Sequence, residues 1–110
     1  MGFCRAIRVG DRVIVSGTAP VWPDGSVNHD PYAQARRCFE IIEAALTELG
    51  ARMDQVVRTR MFVTGTEWVD AVSKAHADVL GDVRPAATMV IAQLLNERWK
   101  VEIEAEAVIA

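Results

Sequence analysis

At 110 residues, 51% apolar but only 6% aromatic, the chain can bury a core of small and aliphatic side chains without metal or disulfide staples. A net charge of −3 offers no overall basic field for nucleic acid, and the cluster Arg52, Arg58 and Arg60 is too sparse to supply one. The two cysteines, Cys4 and Cys38, stand far apart in no metal-ligand spacing, so structural roles, a reducing compartment and no metal or cofactor are expected.

The N-terminus lacks a charged region followed by an apolar stretch. No apolar run approaches the roughly 20 residues of a membrane span. The expectation is a cytoplasmic protein with one domain over residues 1–110 and no membrane partner.

In chain order, Phe3–Val9 and Arg12–Ser16 are rich in β-formers and flank Gly10-Asp11, a hairpin signal. Ser16 to Asn28 carries Gly17, Pro20, Pro23, Asp24 and Gly25 and reads as a loop, with a turn at Asp24-Gly25. Asp30-Pro31 opens a helix, since Asp30 can cap free amides and Pro31 suits the first helical position. Ala35, Cys38, Ile42, Ala45, Leu46 and Leu49 recur at helical spacing, and Gly50 is the stop. Gln55–Val63 is a third strand, with Arg58 and Arg60 sharing a face with Val56 and Phe62. Thr64 and Glu67 form a possible capping box for a second helix. That helix runs to Leu80, buries Val69, Val72, Ala75, His76, Val79 and Leu80, and ends at Gly81.

Two more strands, Ala86–Leu95 and Trp99–Val108, complete the order β-β-α-β-α-β-β. Two helices can cover one face of such a sheet, which predicts an α+β sandwich. The fourth strand is apolar on both alternations, Ala87, Met89 and Ile91 on one and Thr88, Val90, Ala92 and Leu94 on the other. A strand of that kind is buried on both sides. The helices hide only one side, so a second subunit is expected to hide the other.

The fifth strand alternates strictly. Lys100, Glu102, Glu104 and Glu106 fall on one face, and Val101, Ile103, Ala105 and Ala107 on the other. Carboxylates in file repel one another and need water, a cationic partner or a ligand. Glu104 and Glu106 are expected to pair with Lys100, Arg58 or Arg60.

The segments RVGDRVIVSGTAP (8–20), AQARRCFEIIEAAL (33–46), VVRTRMFVT (56–64), RPAATMV (84–90) and VEIEAEAV (101–108) together resemble the Rid family, also called YjgF and historically endoribonuclease L-PSP. The resemblance implies a homotrimer, like chorismate mutase in architecture, with small-molecule clefts between subunits. In the deaminating branch a fourth-strand arginine holds a substrate carboxylate, and a fifth-strand glutamate handles protons and water for imine hydrolysis. The glutamate position matches Glu102, and the glycine of the SG turn matches Gly17, where a missing side chain lets backbone face a ligand.

The arginine position is Ala87. Nearby family cysteine and asparagine positions hold Met89 and Ser73, and an N-terminal tyrosine position holds Phe3. A desolvated bidentate contact to a carboxylate contributes about 1.5–3 kcal/mol, none of which Ala87 supplies. The chain therefore resembles the branches without that arginine, for which no shared activity carries over.

Glu102 is the catalytic candidate, in an apolar cleft beside Ala87 and Met89, with a raised pKa suited to proton transfer; the plainer alternative is a solvated carboxylate. Arg5 is either a substitute for the absent arginine or a surface residue. His76 is either a satisfied core or interface histidine or a general base or ligand contact. Thr88, beside Ala87, is a contact of structural rather than nucleophilic kind. No Ser-His-Asp or Cys-His spacing stands out, and Trp22, Trp68 and Trp99 are too dispersed to stack bases. Two functions stay open: a Rid-type hydrolase or deaminase acting on imines, enamines or related reactive metabolites, and a non-catalytic metabolite-binding trimer serving as sensor or pathway accessory. Ribonuclease activity, which the older family label suggests, is disfavoured by the acidic balance and the absence of a histidine pair.

Overall fold

The computed structural model describes residues 2–110. Helix α1, Pro31–Glu48, starts at the expected cap: the Asp30 carboxylate accepts the Ala33 amide at 2.9 Å, with Pro31 in the first turn. Its stripe of Ala35, Cys38, Phe39, Ile42, Ala45 and Leu46 is buried. Helix α2, Val69–Leu80, buries Val72, Ala75 and Leu80 and packs against α1. Burial of a side chain the size of Ile42 or Leu46 stabilises the fold by about 1.5–3 kcal/mol.

Five strands form one sheet: β1 Ala6–Val9, β2 Arg12–Thr18, β3 Val56–Val63, β4 Ala86–Ile91 and β5 Val101–Val108. Their order is β1-β2-β5-β3-β4, antiparallel except for the β3–β4 pair. Because β5 lies in the middle, its inward Val101, Ile103, Ala105 and Ala107 are buried under the helices with Val13, Val15, Met61 and Val63. The fold is thus the α+β arrangement expected, with both helices serving one face.

Several boundaries differ from expectation. The first strand begins at Ala6 rather than Phe3, and the fourth ends at Ile91 rather than Leu95. Residues 92–100 instead form a connection held by a buried amide: Gln34 Nε2 donates to the carbonyls of Asn28 (2.7 Å) and Arg98 (3.0 Å), and its Oε1 accepts the Lys100 amide (2.7 Å). Thr64 and Glu67 do not make the capping box. A short 3-10 turn, Thr66–Trp68, precedes α2, and the helix start has no side-chain cap.

A bulge explains another difference. The β3–β5 register slips by one residue between Val56 and Arg58. Period-two alternation put Val56 with the arginines, but the extra residue turns Val56 into the core and leaves Arg58, Arg60 and Phe62 on the open face.

Candidate functional site

On the open face the carboxylates of β5 have different fates. Arg60 Nη1 donates to Glu104 at 2.9 Å, as expected, whereas Glu106 is held by Arg12 of β2 at 3.0 Å rather than by Arg58 or Lys100. Lys100 turns away, its ammonium over the Trp68 ring at 4.6 Å and donating to the His29 carbonyl. Glu102 has no ion-pair partner among the described residues. Partial burial, and secondarily the Glu104 charge, push its carboxyl above the ordinary range, with Arg5 opposing.

Gly17 lies beside this carboxylate because β2 carries its own bulge. The β2–β5 register slips between Val15, opposite Ala105, and Thr18, opposite Ile103. The slack falls at Ser16-Gly17, and a β-carbon on Gly17 would collide with Glu102 Oε2. Any larger residue here would displace that carboxylate from its place.

The bulge is clamped from several sides. Arg5 Nη1 donates to Thr18 Oγ1 (2.9 Å) and the Gly17 carbonyl (3.3 Å). Thr18 Oγ1 in turn donates to the Ser16 carbonyl at 2.8 Å, and buried Cys38 donates its thiol to the Thr18 carbonyl at 3.2 Å. Burial and the Glu102 charge push the Cys38 thiol far up, so it stays protonated and inert as a nucleophile.

A recess opens over these groups, lined by Gly17, Phe62, Ala92, Leu94, Leu95 and the two glutamates, with Gln93 at its side. Its walls come from β2, β3, β5 and the connection that Gln34 pins. Sequence reading identified Gly17 and Glu102 but missed Thr18, Phe62 and the wall at 92–95. The available signals were weak: Phe62 shares its face with Arg60, and Gln34 sits four residues before Cys38 on the apolar stripe of α1.

Arg5, Gly17 and Glu102 therefore meet within one chain, while other candidates lie elsewhere. Ala87 and Met89 pair with Thr59 and Met61, both buried, so they take the helix side of the sheet. The helices nevertheless leave Ala87 exposed and Met89 half-buried, so within one chain this edge strand is not buried on either side as its apolar alternation predicts. The helix side is the face opposite Glu102, so the three do not meet inside a single chain. Thr88 pairs with Arg60 and shares the open face, nearer Glu104 than Glu102. His76 Nε2 lies 2.8 Å from Thr59 Oγ1, its ring edge-on to Phe39 at 5.8 Å, and burial lowers its pKa. Ser73 and Phe3 are exposed. Among the described residues no cluster of His, Cys, Asp or Glu is arranged to hold a metal, and no helix is long and apolar enough to cross a membrane.

A five-stranded sheet backed by two helices is the fold shared with known proteins. The family model described as Endoribonuclease L-PSP matches residues 1–109. An uncharacterized protein of Streptomyces coelicolor is 38% identical over 96% of this chain and 81% of its own length. The 2-iminobutanoate/2-iminopropanoate deaminase of Salmonella typhimurium is 33% identical over 96% of this chain and 86% of its own. The crystal structure of Rv2704 from Mycobacterium tuberculosis, a YjgF/YER057c/UK114 family member, is 38% identical and superposes with a TM-score of 0.89, covering 98% of this chain and 87% of that one. This chain belongs to the Rid/YjgF family.

Proposed function

We propose that the protein is a small-molecule hydrolase of the Rid type, acting on imines, enamines or related reactive nitrogen compounds. Residues 1–110 act as one domain, assembled as a homotrimer with its clefts between subunits. The observation that carries this reading is Glu102, an unpaired and partly desolvated carboxylate set against the bare backbone of Gly17 in a half-apolar recess. The deaminase name of the Salmonella relative supports the reaction class.

In the proposed chemistry water adds to the imine carbon and gives its proton to Glu102. The carboxyl returns that proton to nitrogen, giving the carbinolamine. The carboxylate then takes the hydroxyl proton and passes it to nitrogen as the C–N bond breaks, which releases a carbonyl compound and ammonia. A carboxyl pushed upward suits both halves, because a relay works best when its pKa approaches the working pH. In the trimer the edge of β4, with Ala87, Thr88 and Met89, together with Ser73 and His76 of α2, lines the other side of the cleft. Phe3 adds an aromatic wall. Exposed apolar groups on the open face and sheet edge, Ile7, Ile14, Val90 and Ile91, support such an assembly.

The test is ammonia release from a panel of imines by wild type and Glu102→Gln. Loss of at least about a hundredfold in rate is expected, the usual contribution of a positioned acid–base group. Equal rates would remove Glu102 from the chemistry. A stabilising metabolite recovered unchanged, with no turnover of any imine, would replace the hydrolase by a binding role. Light scattering should report three chains, and the mass of one chain would sink the cleft.

A further inference from the structure

We infer that the Glu102 recess takes a ligand with a cationic nitrogen and a small apolar group, and rejects compounds bearing a carboxylate. This rests on the reading of that recess as the reaction site. Among the described residues its lining contains two carboxylates and no basic side chain. The apolar half comes from Phe62, Ala92, Leu94 and Leu95, and the Glu102 carboxylate lies directly against the Gly17 backbone.

The charges facing Glu102 can be followed from each element. On β5 itself, Glu104 is bound to Arg60. From the segment before β1, Arg5 is the nearest cation, and its guanidinium is committed to the Gly17 carbonyl and the Thr18 hydroxyl. Turning it toward an incoming carboxylate would release the bulge. The α1 side contributes Cys38, a neutral thiol. Strand β4, Ala-Ala-Thr-Met-Val-Ile, brings no charged side chain to the sheet edge.

His76 of α2, on the other side of the proposed cleft, is engaged with Thr59 and its pKa is lowered by burial. Among the described residues an anion entering the recess therefore meets like charge and no free cation in the lining. An ammonium or protonated imine instead supplies what Glu102 lacks: a donor and an opposite charge in a partly desolvated setting, where such contacts are strongest. The upward-shifted Glu102 carboxyl accords with this, and adds that cation binding should weaken as pH falls through its pKa.

The experiment compares sec-butylammonium, 2-aminobutanoate and butanoate as binding probes for the intact protein at pH 8, by calorimetry and ligand-observed NMR. A matched pair of imines, with and without a carboxylate, is followed for ammonia release. The ammonium probe should bind at least about tenfold more tightly than 2-aminobutanoate, a difference calorimetry resolves easily. Glu102→Gln should erase that preference while the melting curve stays cooperative.

A carboxylate probe that binds as well as the ammonium overturns the inference, and so does Arg5-dependent binding of butanoate. Failure of the ammonium to bind, or binding indifferent to Glu102→Gln, does the same. Preferred turnover of the carboxylate-bearing imine would defeat this ligand class but leave the hydrolase standing. Glu102-dependent binding of the ammonium without turnover of any imine would do the reverse.

Discussion

The two faces of β5 carry alternate residues of one eight-residue run, yet they meet opposite conditions. Val101, Ile103, Ala105 and Ala107 lie under the helices and are at most 3% exposed. Glu102, Glu104 and Glu106 look out, two of them neutralised by Arg60 and Arg12 and one left without a partner. The covered face is governed by packing, where every group is satisfied. The open face is governed by charge, and the one carboxylate of the file without an ion pair among the described residues is also the one beside a bulge, a bare glycine and a recess. Local imbalance on an otherwise balanced surface is thus the better pointer to chemistry than the acidic file as a whole.

The contrast can be broken most forcefully from the covered side. Ile103→Ala should cost about 2–5 kcal/mol in denaturant unfolding, the range for emptying a packed core position. A cost under about 1 kcal/mol would mean that the helices do not close on β5 as described, since such losses belong to surface positions. Gln34→Leu keeps the shape but strands three backbone groups; a loss of about 2–3 kcal/mol is expected from unpaired buried polar atoms. The connection at 92–100 should then become the first segment to exchange its amides.

A smaller effect separates the faces through pH. Glu102 has a raised folded pKa, so the folded state holds its proton more tightly than the unfolded chain does. Its contribution is present below the ordinary value of 4.5 and is lost as pH rises through the folded value. His76 has a lowered folded pKa, so its contribution is present above the ordinary 6.5 and is lost as pH falls. Glu102→Gln should flatten the first slope alone, read as melting temperature against pH, and an unchanged profile would refute the desolvation described. The least effect belongs to Arg60→Ala: an exposed pair such as Arg60–Glu104 contributes about 0–1 kcal/mol, screened by salt. A larger loss would mean the open face is covered by more than solvent.

Much of the fold was legible because its signals were local. Asp30-Pro31 and the stripe through Ile42 specified α1, and the alternation at Val101–Val108 specified β5. What local pattern could not carry was register. The bulges at Ser16-Gly17 and at Val57 each add one residue, which flips every side chain beyond it. Val56 departs from the alternation because the face a residue takes depends on the register in which its strand pairs. Within the site, Gly17 and Glu102 were read through family resemblance. Nothing in the sequence separates a cleft role from a surface one for Arg5, because its place is set by bonds to the distant Gly17 and Thr18. The wall at 92–95 had no sequence signal, since it depends on a glutamine some sixty residues earlier in the chain.

The central position of β5 also bears on how the molecule is made. Val13 pairs with Ala107 and Val56 with the same residue from the other side, so the β1–β2 and β3–β4 halves meet only through a segment synthesised after both. A nascent chain can form α1 and the first hairpin early, but the sheet cannot close until residues 101–108 clear the ribosome. Such long-range pairing slows folding and leaves unpaired strand edges exposed in the meantime. The strand that presents the candidate glutamate is thereby also the closing step of assembly, and no folded intermediate lacking it holds a formed recess.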